Sequence, residues 1–355
     1  MRKLLLVLPN LNTSGGVSAY WKSLLSELKN YDDLNIETFE IGGHGKNLLG
    51  PLMDQWHLHQ KMKNEFDIAF LNPSLGPRSF FRDALFARQL VKKKVPFVVF
   101  FHGWSLEFEK KVDDKYIGFF LKTFGKAIKI FVLSQDFKNK IIEWGYQGDV
   151  VVETTNVDSS LITDFSIENK IADLQTTDKI KILFLARLLR EKGIFETVEA
   201  FRNLSKKYVN LELTIAGDGK DFAELEEVVK DDANIKVVGH VEGQGKIDLF
   251  KENDIYCLPS YSEGLPTSIL EAMAFGMPII TCRVGGLKDF FKDGRMGYFV
   301  EPKNVKQIEE KLESLLLSKD KIIELGKHNY AYATEKLLNT VVAERMHRYI
   351  TAAMK

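Results

Sequence analysis

Short apolar runs alternate with amphipathic stretches along most of the chain. In the first half, the apolar runs predict strands at Lys3–Leu8, Phe66–Leu71, Pro96–Phe101 and Lys129–Ser134. In the second half, they predict strands at Lys181–Leu185, Leu211–Ala216, Ile235–Val238, Ile255–Leu258 and Pro278–Thr281. Helical patterns lie between them, among others at Val17–Leu28, Phe195–Lys206, Phe222–Lys230, Ile247–Asn253 and Thr267–Phe275. This alternation is typical of parallel, doubly wound α/β sheets.

A polar stretch separates the two series of strands. Asp158–Thr177 has no clear hydrophobic period, which predicts a linker. From about Ser318 to the end, the pattern is helical throughout. We therefore predict two α/β domains, residues 1–160 and 161–335, and a final helix at 336–355 that returns to the first domain. Because ligands of open α/β sheets bind beyond the carboxyl ends of the strands, the functional residues are expected in the loops that follow them.

Composition narrows the class of protein. The chain has 355 residues, of which 45% are hydrophobic and 28% charged, values that are typical of a globular protein with two ordinary cores. The net charge is zero, so no overall field attracts nucleic acid. No apolar run approaches the length that spans a bilayer. Cys257 and Cys282 lie in apolar runs without metal-ligand spacing, which favours buried reduced thiols and a cytoplasmic protein.

Two carboxylates, Glu263 and Glu271, lie eight positions apart around the start of a predicted helix. Pro266 suits a first helical turn, because its missing N–H is no loss there. We expect free backbone amides at the next three residues, Thr267, Ser268 and Ile269, which would form an anion site. A phosphate held there, with one carboxylate on each side to bind hydroxyls, would suit a sugar–phosphate–ribose chain.

Cations follow the first strand of the second domain, in the segment from Ala186 to Gly193. Arg187 can bind two phosphate oxygens with its planar guanidinium, and Lys192 supplies a mobile point charge. Together they would suit a diphosphate leaving group. A solvated basic turn would be the ordinary interpretation of either cation alone.

These motifs resemble those of retaining glycosyltransferases of family four, the glycosyl transferases group 1. The spacing of Glu263 and Glu271 is similar to the family's Glu-x7-Glu, and the segment from Ala186 to Gly193 is similar to G-R-L-x3-K-G with Ala in place of the first Gly. The resemblance is strong over about residues 180–300 and looser before. It implies a GT-B fold, two Rossmann-like domains facing a central cleft, with a nucleoside-diphosphate sugar as donor substrate and no metal ion or other cofactor.

The resemblance also implies roles for individual residues. Glu271 would bind ribose hydroxyls, Glu263 the sugar hydroxyls near the anomeric carbon, and Arg187 with Lys192 the diphosphate. The acceptor would be a glycan or a lipid-linked sugar, in bacterial cell-surface polysaccharide biosynthesis. The implied catalytic residues are His102, Arg187, Lys192 and Glu263. The implied donor-binding residues are Gly15, Gly16, Arg187, Lys192, Gly217, His240, Glu263, Leu265, Thr267, Ser268 and Glu271.

The remaining members of this set have weaker motifs. Gly15 and Gly16 follow the first strand but lack the G-x-G-x-x-G spacing of a dinucleotide site, which disfavours an NAD-dependent oxidoreductase. His102 ends a strand, and we expect it to donate a hydrogen bond to the sugar or to serve as another polar group of the site. Gly217 and His240 each follow a strand; a tight turn explains Gly217 equally well. Gly285-Gly286 is interpreted as a structural loop.

Residues 113–129 combine lysines with aromatic side chains in a helical pattern. Such an amphipathic helix could lie on the inner face of the cell membrane, and ordinary packing against the sheet explains the same pattern. Two alternatives to a transferase also stay open. One is a nucleotide-sugar epimerase or phosphorylase of the same architecture, and the other is a non-catalytic subunit that binds a sugar nucleotide.

Overall fold

The computed structural model describes residues 2–13, 15–42 and 50–354. The chain divides into two compact units. The first comprises Met1–Asn156 and Asn339–Lys355, and the second comprises Val157–Leu338. The sequence places the corresponding boundaries at residues 160 and 335.

The first unit is a parallel six-stranded sheet with helices, in the strand order β2-β1-β3-β5-β7-β8. Its strands are β1 (Arg2–Pro9), β2 (Leu34–Ile41), β3 (Ile68–Leu71), β4 (Ser74–Leu75), β5 (Phe97–Phe101), β6 (Gly103–Trp104), β7 (Lys129–Val132) and β8 (Asp149–Val152). Its helices are α1 (Gly16–Leu28), α2 (Gly50–Lys61), α3 (Pro77–Lys93), α4 (Leu106–Lys111), α5 (Ile117–Lys122), α6 (Gln135–Glu143) and, from the end of the chain, α15 (Asn339–Ala353). The short strands β4 and β6 pair with each other.

The final helix α15 belongs to this first unit. Arg345 donates to Glu153, just beyond β8, with a nitrogen–oxygen distance of 2.7 Å. The imidazole of His347 stacks on the ring of Tyr31 with 4.0 Å between the ring centres. Because the apolar side of α15, including Val342, Met346 and Ile350, is also buried, the helix is held by packing as well as by charge.

The second unit repeats the architecture, in the strand order β11-β10-β9-β12-β13-β14. Its strands are β9 (Ile180–Leu185), β10 (Leu211–Ala216), β11 (Ile235–Gly239), β12 (Ile255–Leu258), β13 (Ile279–Cys282) and β14 (Gly297–Val300). Its helices are α7 (Ile167–Thr176), α8 (Ile194–Ser205), α9 (Phe222–Val229), α10 (Gly243–Glu252), α11 (Thr267–Ala274), α12 (Leu287–Phe290), α13 (Val305–Leu316) and α14 (Lys319–Lys336). All its strand pairs are parallel.

Every strand predicted from an apolar run is present, within two residues of the predicted bounds. The stretch Asp158–Thr177, predicted as a linker without a clear hydrophobic period, contains α7 in its second half. The side chain of Ser166 accepts a hydrogen bond from the amide of Asn169 and caps this helix, while Ile167 and Leu174 are buried. Only these two positions of α7 are buried, too few to give a clear hydrophobic period. The strands β2, β8 and β14, which the sequence analysis did not predict, are edge strands of the two sheets.

The basic aromatic stretch at 113–129 packs into the first unit. Phe120 and Phe124 are fully buried in its hydrophobic core, and Tyr116, Ile117 and Phe119 pack against that core. The outward positions are taken by Lys115, Lys122 and Lys126. Ordinary packing therefore accounts for the amphipathic pattern. Among the described residues, no helix is both long and apolar enough to span a membrane.

Candidate active site

The candidate site of the second unit lies at the carboxyl ends of its central strands. The chain runs from β9 outwards through β10 and β11, and then returns to place β12 on the other side of β9. The loops after β9 and β12 therefore leave the sheet in opposite directions, and such a switch point is where open α/β sheets bind ligands. Lys192 lies in the first of these loops and Glu263 in the second.

The structure brings Lys192 and Glu263 together. The Nζ atom of Lys192 lies 2.6 Å from Oε1 of Glu263, and the two side chains are only 11% and 13% exposed. The backbone supports this contact, because the amide of Tyr261 donates to the carbonyl oxygen of Glu191 at 2.8 Å. An ion pair largely removed from water needs such fixed geometry, since removal of either partner would leave an unpaired charge.

Gly285, in the loop after β13, fixes the loop that carries Glu263. Its φ is +51°, and a Cβ atom there would lie 2.0 Å from the carbonyl oxygen of Gly264 and 2.3 Å from that of Glu263. The amide of Gly286 donates to the same oxygen of Gly264 at 2.7 Å. Only glycine fits this approach of two backbones. The interpretation of Gly285-Gly286 as a structural loop agrees with this geometry.

Glu271 has a partner that sequence reasoning missed. The Nζ atom of Lys246, on α10, lies 2.7 Å from Oε1 of Glu271, with side-chain exposures of 23% and 10%. Burial raises the pKa of Glu271, and the ammonium group of Lys246 opposes that rise. Lys246 belongs to no motif, and only the fold shows that it meets Glu271.

The start of α11 differs in one respect from the prediction. The helix begins at Thr267 after Pro266, as expected, and Leu265 is buried just before it. However, the amide of Ile269 is not free, because it donates to the carbonyl oxygen of Pro266 at 3.1 Å. The reason is that the first turn is tight, with a bond between residues three apart. Of the three predicted anion-binding amides, those of Thr267 and Ser268 remain.

Gly217, after β10, lies against the start of the loop after β9, which carries Arg187. A Cβ atom on Gly217, whose φ is +138°, would lie 1.9 Å from the carbonyl oxygen of Ala186. Gly217 therefore has a packing role, whether or not it also contacts a ligand. The side chain of Arg187 is exposed and makes no ion pair or hydrogen bond with any residue in the described ranges. It is therefore available to an anion.

His240 follows β11 and is exposed. Its Nε2 atom lies 2.9 Å from Oε1 of Glu242, two residues further along the chain. The contact is local and holds the ring beside its own loop.

In the first unit, His102 belongs to a buried polar group that the sequence did not reveal. Its Nε2 atom lies 3.2 Å from Oδ1 of Asn72, which also accepts from the indole N–H of Trp21 at 2.8 Å. Nδ2 of Asn72 donates to the carbonyl oxygen of Val7 at 2.9 Å, which fixes the orientation of the amide. Since Oδ1 can only accept, Nε2 of His102 carries the proton.

This arrangement changes what His102 can do. Its ring stacks on Phe100, and burial lowers its pKa to about 3, so the imidazole is neutral near neutral pH. Its N–H is already used by Asn72, which leaves Nδ1 as an acceptor. In this structure the N–H of His102 is therefore not free to bind a sugar, and its role as a polar group of the site stays a prediction. A strand-end position alone could not show how the ring is bonded.

Gly15 and Gly16 lie at the start of α1, beyond β1. Gly15 precedes the helix and Gly16 is its first residue, and no side chain caps this terminus. A Cβ atom on either glycine would meet no atom within 4 Å. Packing therefore does not require glycine at these two positions. Across the described part of the chain, no group of three or more His, Cys, Asp or Glu side chains could hold a metal ion.

Known proteins are similar to this chain over the unit that contains these motifs. Residues 166–334, almost the whole second unit, match the family model described as glycosyl transferases group 1. The chain is 23% identical over 241 residues to the capsular polysaccharide biosynthesis glycosyltransferase CapM of Staphylococcus aureus, covering 64% of this chain and 63% of CapM. It is 25% identical over 221 residues to the putative teichuronic acid biosynthesis glycosyltransferase TuaC of Bacillus subtilis, covering 61% of this chain and 54% of TuaC. The matches thus span less than two thirds of either relative.

Solved structures resemble the whole chain. A sucrose-phosphate synthase from Thermosynechococcus elongatus aligns with a TM-score of 0.78 at 16% identity, covering 99% of this chain and 100% of the other. HepE of Anabaena, in complex with UDP and glucose, aligns with a TM-score of 0.74 at 15% identity over 99% of this chain and 100% of its own. At such identities these likenesses concern the fold. The predicted GT-B class, with two parallel α/β sheets, is confirmed.

Proposed function

We propose that this protein is a retaining glycosyltransferase that moves a sugar from a nucleoside-diphosphate sugar to a glycan or a lipid-linked acceptor. The observation that carries the proposal is the arrangement of Lys192–Glu263 and Lys246–Glu271, two nearly buried ion pairs around the switch point of the second sheet. The family match over this same unit supports it. We further propose a cytoplasmic role in bacterial cell-surface polysaccharide biosynthesis, in keeping with the relatives named above.

In this proposal, each charged group has a role in binding the sugar donor. Arg187 and Lys192 bind the diphosphate, together with the amides of Thr267 and Ser268 at the start of α11. Glu263 binds sugar hydroxyls and Glu271 binds ribose hydroxyls. Each carboxylate uses only one oxygen in its ion pair and keeps the other for a hydroxyl group. His102 remains a proposed polar group of the reaction site, as an acceptor at Nδ1, and Gly15-Gly16 a proposed ligand-binding loop.

The proposed reaction keeps the anomeric configuration. The bond between the anomeric carbon and the leaving phosphate breaks, and the acceptor oxygen bonds to that carbon from the same face. The acceptor's proton passes to an oxygen of the departing diphosphate. No residue has to act as nucleophile, so the protein contributes positioning and stabilises the developing negative charge through Arg187 and Lys192. In this scheme no metal ion is required.

Contact with the inner face of the cell membrane is a further part of the proposal. Because the aromatic residues of 113–129 are in the core, such contact would use the outward Lys115, Lys122 and Lys126. Attraction of exposed lysines to anionic lipid is screened by salt. We expect weak co-sedimentation with anionic vesicles that disappears at high salt. Co-sedimentation that salt does not reduce would contradict a purely electrostatic contact.

The first experiment is calorimetric titration of UDP, GDP, ADP and NAD into the wild type and Arg187→Ala. Arg190→Ala is a matched control, because Arg190 lies in the same loop but pairs with Glu224 and lies over the ring of Phe195. We expect one diphosphate to bind in the micromolar range and Arg187→Ala to weaken it by about 10- to 100-fold, the value of a charge-assisted contact. Absence of diphosphate binding, or NAD binding that is unaffected by Arg187→Ala, would refute the proposal.

Product analysis then separates the transferase from its alternatives. The matching nucleotide sugar is incubated with an acceptor, and NMR follows the anomeric configuration of the product. Transfer with retention supports the proposal. Release or isomerisation of the sugar without an acceptor would indicate an epimerase, and dependence on inorganic phosphate a phosphorylase. Tight binding without turnover on any acceptor would favour the non-catalytic subunit.

A further inference from the structure

Glu271 is the more deeply buried of the two site carboxylates. A single cationic side chain balances its negative charge. Its side chain is 10% exposed, and Lys246 meets it with 2.7 Å between Nζ and Oε1. No described residue donates a hydrogen bond to its second oxygen, Oε2. A carboxylate this far from water is stable as an anion only with such a partner.

The other groups near Glu271 do not replace Lys246. Asp158, at the start of the second unit, is the other charged group that acts on it, and Asp158 disfavours the anion. Tyr256, on the neighbouring β12, presents a phenol that burial keeps neutral. The helix α14 packs against α11, and its buried residues are uncharged: Ile322, Leu325, Gly326, Asn329 and Ala333.

We infer that Lys246 is a positioning residue for recognition of the donor's ribose, which it serves by holding Glu271 as a charged acceptor with one oxygen free. This inference rests on the proposed function, because it assigns the ribose to Glu271. Lys246 lies on α10, whereas Arg187 and Lys192 lie in the loop after β9. Because Lys246 pairs with Glu271 while Lys192 pairs with Glu263, we expect a change at Lys246 to alter ribose selectivity.

Loss of the ammonium group would change the hydrogen-bonding character of Glu271. Without Lys246, burial favours the protonated carboxyl, which offers one donor and loses acceptor capacity. Because burial raises the pKa of Glu271, lower pH favours the protonated form, so the variant would bind ribose more weakly than the wild type and regain binding as pH rises. A structural defect would not recover with pH. The wild type would show no such recovery.

The test is titration of the best-binding diphosphate from the first experiment, and of its 2′,3′-dideoxy analogue, between pH 6.5 and 9. The variants are Lys246→Met, Lys246→Arg and, as a control on the same helix, Lys251→Met. All affinities are compared with that of the wild type at the same pH, so the effect of phosphate ionisation on affinity cancels. Thermal unfolding of each variant verifies that it is folded.

We expect Lys246→Met to bind the ribonucleotide at least 10-fold more weakly at pH 7, to approach the wild type near pH 9, and to discriminate little against the dideoxy analogue at pH 7. Lys246→Arg and Lys251→Met should stay within about twofold of the wild type. Unchanged binding in Lys246→Met, or a loss that is the same at every pH, would overturn the inference. Absence of nucleotide binding in the wild type would instead refute the proposed function, and with it the role assigned here.

Discussion

The two units share one architecture but stabilise their polar residues in different ways. In the second unit, the candidate site consists of charges of opposite sign, Lys192–Glu263 and Lys246–Glu271, near the carboxyl edge of the sheet. In the first unit, the corresponding edge carries the neutral, hydrogen-bonded group of Trp21, Asn72 and His102. A doubly wound sheet thus supports a charged site or a neutral one, depending on the loops that follow its strands.

The units also differ in total charge. The first contains 24 Lys and Arg against 18 Asp and Glu, and the second contains 25 against 31. Their net charges are therefore +6 and −6, which cancel in the whole chain. A chain with no net charge can still present a basic unit, and this favours the proposed contact of the first unit with anionic surfaces.

The largest effect is expected where the second unit relies on backbone contact. Gly285→Ala would force a Cβ atom to within 2.0 Å of a backbone oxygen. We expect a loss of about 3 kcal/mol or more in the free energy of unfolding, because neither backbone can move without displacing Glu263. Urea denaturation of the wild type and the variant measures this loss.

Gly294→Ala is the matched control for Gly285→Ala. Gly294 has φ of +74°, but a Cβ atom there would meet nothing within 4 Å. We expect a loss of only about 1 kcal/mol from the left-handed conformation. Equal losses for the two variants would show that the positive φ alone, and not the contact with the backbone of Glu263 and Gly264, accounts for the cost of replacing Gly285.

In the first unit, the largest electrostatic effect is expected at Arg345. Arg345→Met would leave Glu153, with a side chain only 4% exposed, without this cation. An uncompensated buried charge costs about 3–5 kcal/mol, and we expect a value near the lower end because Arg345 itself is 22% exposed. Arg348→Met, on the same helix but exposed, should change the unfolding free energy by less than about 0.5 kcal/mol. Similar losses for both variants would show that the apolar face of α15, and not the Arg345–Glu153 ion pair, holds the helix against the first unit.

The neutral group of the first unit predicts a pH dependence. Burial lowers the pKa of His102 from 6.5 to about 3, so the unfolded chain binds a proton between these values and the folded chain does not. Stability from this group is therefore fully present above about pH 6.5 and falls with decreasing pH, by about 1.4 kcal/mol per pH unit. Denaturation from pH 7 to 5 measures the slope. His102→Gln should lower it; an unchanged slope would show that His102 is not the responsible group.

The smallest effect is expected at an exposed pair in the second unit. Arg190 and Glu224 form an ion pair with side chains 57% and 50% exposed. Glu224→Gln should change the free energy of unfolding by less than about 0.5 kcal/mol, because water screens such pairs. A loss above 1 kcal/mol would contradict the argument that exposed ion pairs contribute little to stability and nearly buried pairs contribute more.

Local pattern was sufficient for some features and insufficient for others. The central strands of both sheets were predictable because each is a nearly continuous apolar run. The segment between Glu263 and Glu271 likewise contains its own helix start at Pro266. The stretch at 113–129 was ambiguous, because an apolar helical face looks the same whether it meets a membrane or a core. Its packing in the core is a tertiary fact.

The candidate residues were likewise predictable only in part. Arg187, Lys192, Glu263 and Glu271 follow from motif and spacing. Their bonding partners do not: Lys246 is 25 residues from Glu271, and Asn72 is 30 residues from His102. Neither Lys246 nor Asn72 lies in a motif, so no local pattern distinguishes them from other lysines and asparagines.

The sequence by itself therefore determined the alternation of strands and helices, the parallel sheets and the positions of the candidate site residues Arg187, Lys192, Glu263 and Glu271. Those features depend on the period of apolar residues and on turn chemistry, which are local. Only the tertiary structure decided which charges meet, that His102 is neutral with its N–H bound to Asn72, and that Gly285 must be glycine. Those features depend on the approach of segments distant in the chain, and on the loss of water around them, which together determine the strength of an ion pair and the protonation of a buried group.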